Sequence, residues 1–394
     1  MTTSVIVGGA RPPIAKFSGA YKSLSAVDLG AHAIAQALER SGVGGDQIDY
    51  TIMGQVLQAG CSQNPARQAS IAGGVAKETP AITINKVCLS GMSAVSMADQ
   101  MIRAGDIEVA VAGGMESMTN APYLVPSARF GSRLGDAKLV DSMVYDGLWT
   151  VFSDQHMGDA SDDVNKDLGI TREEQDVWAA RSHQKAAAAW EAGGIADEVV
   201  EIEIKQRKGD PVVFDRDDGI RSDSTAEALA ALRPAFQDDG TITAGNASQL
   251  SDGAAALVVM SKDRADQLGI QPLAEIVSTG MAAERFAYLH TVPALALENA
   301  AKKAGIDVHD LGVIEINEAF AAVAVNSTRM LGVSEDVVNP NGGAVALGHP
   351  IGASGARLVL ATLYEMRREG YELGAAAICG GGGQGDAIIL RSVA

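Results

Sequence analysis

Apolar and polar positions along this chain switch between two periods, and the switches mark its elements. Residues 4–8 (SVIVG) form a short apolar run ended by glycine, which predicts a strand. Over 28–40, Leu29, Ala33, Ile34, Ala37 and Leu38 fall near helical spacing, and Gly42 closes the run. A strand over 48–56, a short helix over 65–72, a strand over 81–84, a Met- and Ala-rich helix over 90–103 and a strand over 109–112, stopped by Gly113 and Gly114, complete a first α/β series. A second series follows later: a helix over 291–305, a strand over 313–316, a helix ending at 327–331, a helix over 356–368 and a strand over 375–378, again stopped by glycines.

The two series share residues as well as order. ALERSGVGGDQIDYTIMG (37–54) aligns with AAKKAGIDVHDLGVIEIN (300–317), NKVCLSG (85–91) with HPIGASG (349–355), and VAGGM (111–115) with ICGGG (378–382). The chain therefore reads as two diverged copies of one α/β unit. Asn85 then falls on His349, and Ala112 on Cys379. If the copies pack about a pseudo-twofold axis, Cys88, His349 and Cys379 converge. Between the copies, the charged, glycine-punctuated stretch 116–249 reads as an inserted loop region over a site, with a helix over 177–191. A buried strand over 257–260 returns to the core pattern. The expected division is 1–118 with 246–270 as one half, 119–245 as an inserted loop domain and 271–394 as the other half.

Composition narrows the function. Asp and Glu total 49 against 31 Lys and Arg, a net charge of −18, which repels nucleic acid and anionic membranes, so neither is an expected partner. An anionic small ligand would need a local basic patch, such as Lys205, Arg207 and Lys208, or Arg221. No apolar run approaches the ~20 residues of a membrane span. MTTSVIVGGARPPIAKF has neither signal-peptide nor transit-peptide character, so a cytoplasmic location is expected. Three cysteines, Cys61, Cys88 and Cys379, without CxxC spacing, argue against a disulfide framework or a zinc site.

Cys88 stands between a strand and a helix. Free N–H groups at that helix start are expected to lower its thiol pKa, and backbone N–H groups there suit an oxyanion. A buried structural cysteine is the competing reading. His349, between Gly348 and Pro350, suits activation of a thiol; a solvated histidine in a tight connection is the plainer alternative. Gly380–Gly385 matches GxGxxG only formally, because a strand and not a helix follows, so a dinucleotide site is rejected. Those glycines are expected to admit close backbone approach around Cys379. Asn317 ends a strand and either polarises a carbonyl, holds a water or caps the next helix.

Taken together, NKVCLSG (85–91), AGGMESM (112–118), GNASQLSDGAAA (245–256), NEAF (317–320), NGGAVALGHPIGASG (341–355) and CGGGGQG (379–385) resemble the thiolase family, and most of all its short-chain, tetrameric branch. The match runs through nearly the whole chain. It implies an α/β fold with a duplicated five-layer αβαβα core and an inserted loop domain serving as CoA cover and tetramerisation element. The reaction implied is the reversible Claisen condensation of two acetyl-CoA to acetoacetyl-CoA and CoA. By the same resemblance Cys88 is the acylated nucleophile, His349 its activator and Cys379 the acid/base at the α-carbon. Asn317 holds a water that forms an oxyanion hole with His349, while the N–H groups of Cys88 and Gly381 form a second. Ser248, Arg221, His156, Met157, Phe320 and Leu289 match positions along the CoA and acyl path. No metal or redox cofactor is implied, only CoA thioesters as substrates, and 122–149 resembles the tetramerisation region.

Two segments depart from the family pattern. LHTVPALA (289–296) places His290 and Val292 where glycines are usual, and DASDDV follows HMG where a TTAEN-like run is common. Both border the implied tunnel, so chain length stays open: a longer-chain 3-ketoacyl-CoA thiolase is the alternative. A catalytically silent acyl-CoA-binding relative is a third reading, against which the presence of Cys88, His349 and Cys379 argues; a decarboxylating ketosynthase pairs Cys with two His, whereas Cys379 occupies one of those places here.

Overall fold

The computed structural model describes residues 2–393. The first half contributes β1 (Ser4–Ala10), α1 (Ala26–Ser41), β2 (Tyr50–Gly54), α2 (Pro65–Ala72), β3 (Ala81–Ile84), α3 (Ser90–Ala104) and β4 (Val109–Ser117). After a long excursion holding α4 (Met157–Leu168) and α5 (Arg172–Glu191), the chain returns as β5 (Ser251–Ser261). The second half is β6 (Ala274–Ala283), α6 (Val292–Ala304), β7 (Val313–Ile316), α7 (Ala321–Leu331), α8 (Ser354–Glu369), β8 (Leu373–Gly380) and β9 (Gln384–Ser392).

The strands run in the order β7-β8-β9-β6-β1-β5-β4-β2-β3. The duplication is visible in this order. Outward from β1 the pairings are antiparallel to β5, antiparallel to β4, then parallel to β2 and β3. Outward from β6 they are antiparallel to β9, antiparallel to β8 and parallel to β7, and a parallel bridge from Ile314 to Val338 stands where β3 would. Both β1 and β6 carry a register shift at matching places, Ile6/Gly8 and Ile276/Ser278. The halves join through Val5 and Ile6 of β1 against Glu275 and Ala274 of β6.

Strand alternation separates three cores and so sets five layers. Val109 and Val111 face Leu29, Ile34 and Ala37 of α1 on one outer side. Ala110 and Ala112 face inward, where Val95 and Ala98 of α3 and Leu358 and Val359 of α8 pack together with Ile378, Ile388 and Leu390 of the other half. Ala375, Ala377 and Ile389 face Leu297, Ala300 and Ala324 of α6 and α7 on the opposite outer side. α1 is fixed at its start by a capping box between Ser25 and Asp28 and at its end by Gly42 at φ 68.

One expectation fails. Gly113 and Gly114 do not stop β4, which runs on to Ser117. They are there for close approach: a Cβ on Gly114 would lie 2.0 Å from the Gly352 carbonyl oxygen, and one on Gly113 2.2 Å from that of Ala255. The loop before α8 can therefore lie directly on β4. No helix among the described residues is long and apolar enough to cross a membrane.

Candidate active site

The two central helices begin at matching points, Ser90 and Ser354, and neither has a side-chain cap on its N-terminus. Their preceding turns carry Cys88 and His349. Val87, just before the cysteine, sits at φ 51, an unfavourable place for a β-branched residue. Its surroundings hold it there. Val87 N–H donates to Asn85 Oδ1 (2.9 Å), Lys86 N–H to Ser90 Oγ (2.9 Å), and Ser90 Oγ–H to the Val87 carbonyl (2.6 Å).

Cys88 is buried. Contrary to the expectation of a lowered thiol pKa, burial pushes it up to about 12; the Gly381 N–H and its own N–H pull the other way but lose to desolvation, and nearby Glu116 adds to the rise. The resting thiol is neutral and needs a base.

His349 is buried, not solvated. Burial, and then the Arg357 charge, hold its pKa down to about 3, so it is neutral near pH 7. Its Nδ1 lies 2.7 Å from Ser354 Oγ, whose proton goes to the Pro350 carbonyl at 3.0 Å. Ser354 thus accepts from Nδ1–H, which leaves Nε2 bare as the proton acceptor. Asn317 Nδ2 stands 3.5 Å from Nε2, and Asn317 Oδ1, fully buried, has no hydrogen-bond partner.

Cys379, near the end of β8, is buried too, and its thiol pKa is raised by desolvation and then by Cys88. It packs with Leu289, Val292, Phe320 and Val323, whereas Cys88 packs with Leu57, Met118, Met143 and Ile351. A cavity of about 290 Å³, almost wholly apolar, lies between the two thiols.

Of the residues singled out in the sequence, Cys88, His349, Cys379, Ser248, His156, Met157, Phe320 and Leu289 line this cavity. His156 also caps α4, accepting from Gly158 N–H at 3.0 Å, and stacks on Phe236. Gly381 lies just beyond, lining an adjoining cleft with Val87 and Met157. Asn317 stands behind His349. Arg221 is not brought in: it is exposed, two residues past Gly219, whose carbonyl accepts from the lining Gln249.

Sequence reasoning missed the remaining walls. Met143, Val144, Gly147 and Leu148 come from a π-helix, Met143–Leu148, with Met118 and Ile351 beside it. It also missed Glu116, a buried carboxylate accepting from the N–H groups of Val56 (3.0 Å), Leu57 (3.2 Å) and Gly352 (2.9 Å), which pins the histidine loop to β4. Burial lifts its pKa to about 7. One departing segment reaches the residue just past the other: His290 Nε2 is 2.9 Å from Oδ1 of Asn165, which directly follows DASDDV. Chemically the cavity offers a nucleophile, a neutral base, a second thiol and directed N–H groups around an apolar slot.

The chain is similar to known proteins along nearly its whole length. Residues 4–263 match the thiolase N-terminal domain model and residues 270–392 the thiolase C-terminal domain model. The chain is 54% identical over 392 residues to a probable acetyl-CoA acetyltransferase of Mycobacterium tuberculosis, covering 100% of both chains. It is 50% identical to the acetyl-CoA acetyltransferase of Pseudomonas aeruginosa over 99% of both, and 49% identical to that of Cupriavidus necator over 99% of this chain and 100% of the other.

Proposed function

The chain belongs to the thiolase family and is an acyltransferase, and we infer that it joins two acetyl-CoA into acetoacetyl-CoA and CoA, reversibly, through an acetyl group carried on Cys88. The observation that carries this reading is the pairing of two buried thiols with a bare imidazole nitrogen around one apolar cavity. His349 Nε2 takes the Cys88 proton as sulfur attacks the thioester carbonyl. The N–H groups of Cys88 and Gly381 receive the developing oxyanion. CoA departs with the proton of Cys379, leaving a thiolate there. That thiolate, made strongly basic by burial, takes an α-proton from the second acetyl-CoA. The enolate oxygen rests on the protonated His349 and on a water held by Asn317, whose unpartnered Oδ1 supports that role. The enolate carbon attacks acetyl-Cys88, acetoacetyl-CoA leaves, and His349 returns its proton to Cys88.

Burial makes an isolated imidazolium costly, so His349 is protonated only while an anion faces it. Ser248, His156, Met157, Phe320 and Leu289 form the path of pantetheine and acyl group. Arg221, exposed and set back from the cavity, fits contact with the far end of CoA. The step needs only CoA thioesters. The segment 119–245 serves as the cover over CoA, its exposed Tyr123, Phe130, Leu134 and Leu139 suiting a tetramer built as a dimer of dimers. Thiolysis of acetoacetyl-CoA beside that of a longer 3-ketoacyl-CoA tests the substrate. A higher kcat/KM for acetoacetyl-CoA is expected; strong preference for the longer substrate overturns the short-chain assignment.

A further inference from the structure

Asp386 is a carboxylate on an apolar face. It follows the same strand alternation as Ile388 and Leu390, which point into the central core, and it is buried. A charge there is retained only if it is paired. Its partners come from the other half of the molecule: Lys86 Nζ at 2.7 Å and Ser93 Oγ at 2.6 Å. Lys86 is next to the strained Val87 and two residues from Cys88. Asp386 sits near the turn of the β8–β9 hairpin, opposite Ile378 and beside the Cys379–Gly385 pair, and the tip of that hairpin carries Gly381. The two structures touch: a Cβ on Gly381 would lie 3.2 Å from Val87 Cγ1.

We propose that Lys86, Asp386 and Ser93 form a clamp across the two halves that sets the distance between the Cys88 turn and the Gly381 N–H. These are positioning residues; none lines the catalytic cavity. The clamp holds the turn in its left-handed conformation against the hairpin, so the Gly381 N–H points at the sulfur and at the oxygen that becomes negative during acyl transfer. This rests on the reading of Cys88 as acyl acceptor with Gly381 as donor.

Single-turnover acetylation of Cys88 by acetyl-CoA, set beside alkylation of the same cysteine by iodoacetamide, tests the clamp. Alkylation builds no oxyanion. Lys86→Met, and the double variant Lys86→Met with Asp386→Asn, which leaves no buried charge unpaired, are expected to slow acetylation by about 20-fold or more while alkylation stays within about threefold. Lys86→Arg, which keeps the charge, should stay within about fivefold of the parent in both. The double variant answers if the single one fails to fold. Acetylation of the double variant within about twofold of the parent, or an equal loss in acetylation and alkylation, overturns the clamp. Absence of acetyl-Cys88 in the parent protein would instead refute the reading of the site itself.

Discussion

Replacing Ser354 by alanine removes the atom that orients the base. Ser354 Oγ is 2.7 Å from His349 Nδ1, and both residues are buried, so no solvent takes its place. In the resting enzyme this is a hydrogen bond between neutral groups. When His349 takes the Cys88 proton, it becomes a bond to a cation, and bonds to charged groups contribute about 1.5–3 kcal/mol. The loss therefore falls mainly on the transition state, and kcat should drop by about 10- to 150-fold. The helix start should survive, because the N–H groups of Ala353 (2.8 Å) and Ser354 (3.0 Å) still bond to the Pro350 carbonyl. Ser354 does not line the cavity, so KM for acetoacetyl-CoA should change by less than about twofold. Steady-state thiolysis with matched thermal melts measures all of this. A Ser354→Ala enzyme with kcat within about twofold of the parent would refute the claim that Ser354 holds the imidazole with Nε2 bare.

Three further changes probe other parts of the account. Gly114→Ala puts a Cβ 2.0 Å from the Gly352 carbonyl oxygen, backbone against backbone, and should cost roughly 3 kcal/mol or more, read as a lowered Tm or loss of soluble protein; a neutral effect would mean the loop does not rest on β4. His290 is fully buried with its pKa held down to about 3, so its contribution to stability is complete above pH 6.5 and is lost as pH falls towards 3, while the unfolded chain binds the proton. His290→Gln should therefore flatten the fall in unfolding free energy between pH 7 and pH 4 by about 3 kcal/mol, and an unchanged slope in denaturant titrations would contradict the burial of a neutral imidazole there. Gly381→Ala crowds Val87 at 3.2 Å and Met157 at 3.6 Å and should slow acetylation of Cys88 by about tenfold with little change in melting, whereas a parent-like rate would remove the Gly381 N–H from the chemistry.

The duplication was legible because similar turns recur in the same order at nearly the same spacing, and the strand order and matched bulges repeat it. The convergence of Cys88, His349 and Cys379 followed from that symmetry. The sign of the cysteine pKa did not, since helix position is written in sequence but desolvation by distant residues such as Met118 and Ile351 is not. The Gly113–Gly114 pair read as a strand end because glycine weakens a strand locally; its purpose, room for the Gly352 carbonyl, exists only in three dimensions. Ser354 and Glu116 lay inside quoted motifs, yet no periodicity reveals that one bonds an imidazole and the other three backbone N–H groups. The π-helix wall has no sequence signature of its own. Arg221 was legible only as a charge: its exposed place outside the cavity, fit for the far end of a long ligand and not for the reacting groups, exists only in three dimensions.

The most direct test is where the acetyl group goes. The protein is mixed with acetyl-CoA, quenched in acid and mapped by peptide mass spectrometry, with Cys88→Ser assayed for turnover in parallel. One acetyl group on the peptide bearing Cys88, none on Cys379, and loss of turnover in Cys88→Ser are predicted. Acetyl on Cys379 in place of Cys88, or a Cys88→Ser enzyme that still forms acetoacetyl-CoA at the parent rate, would contradict the account.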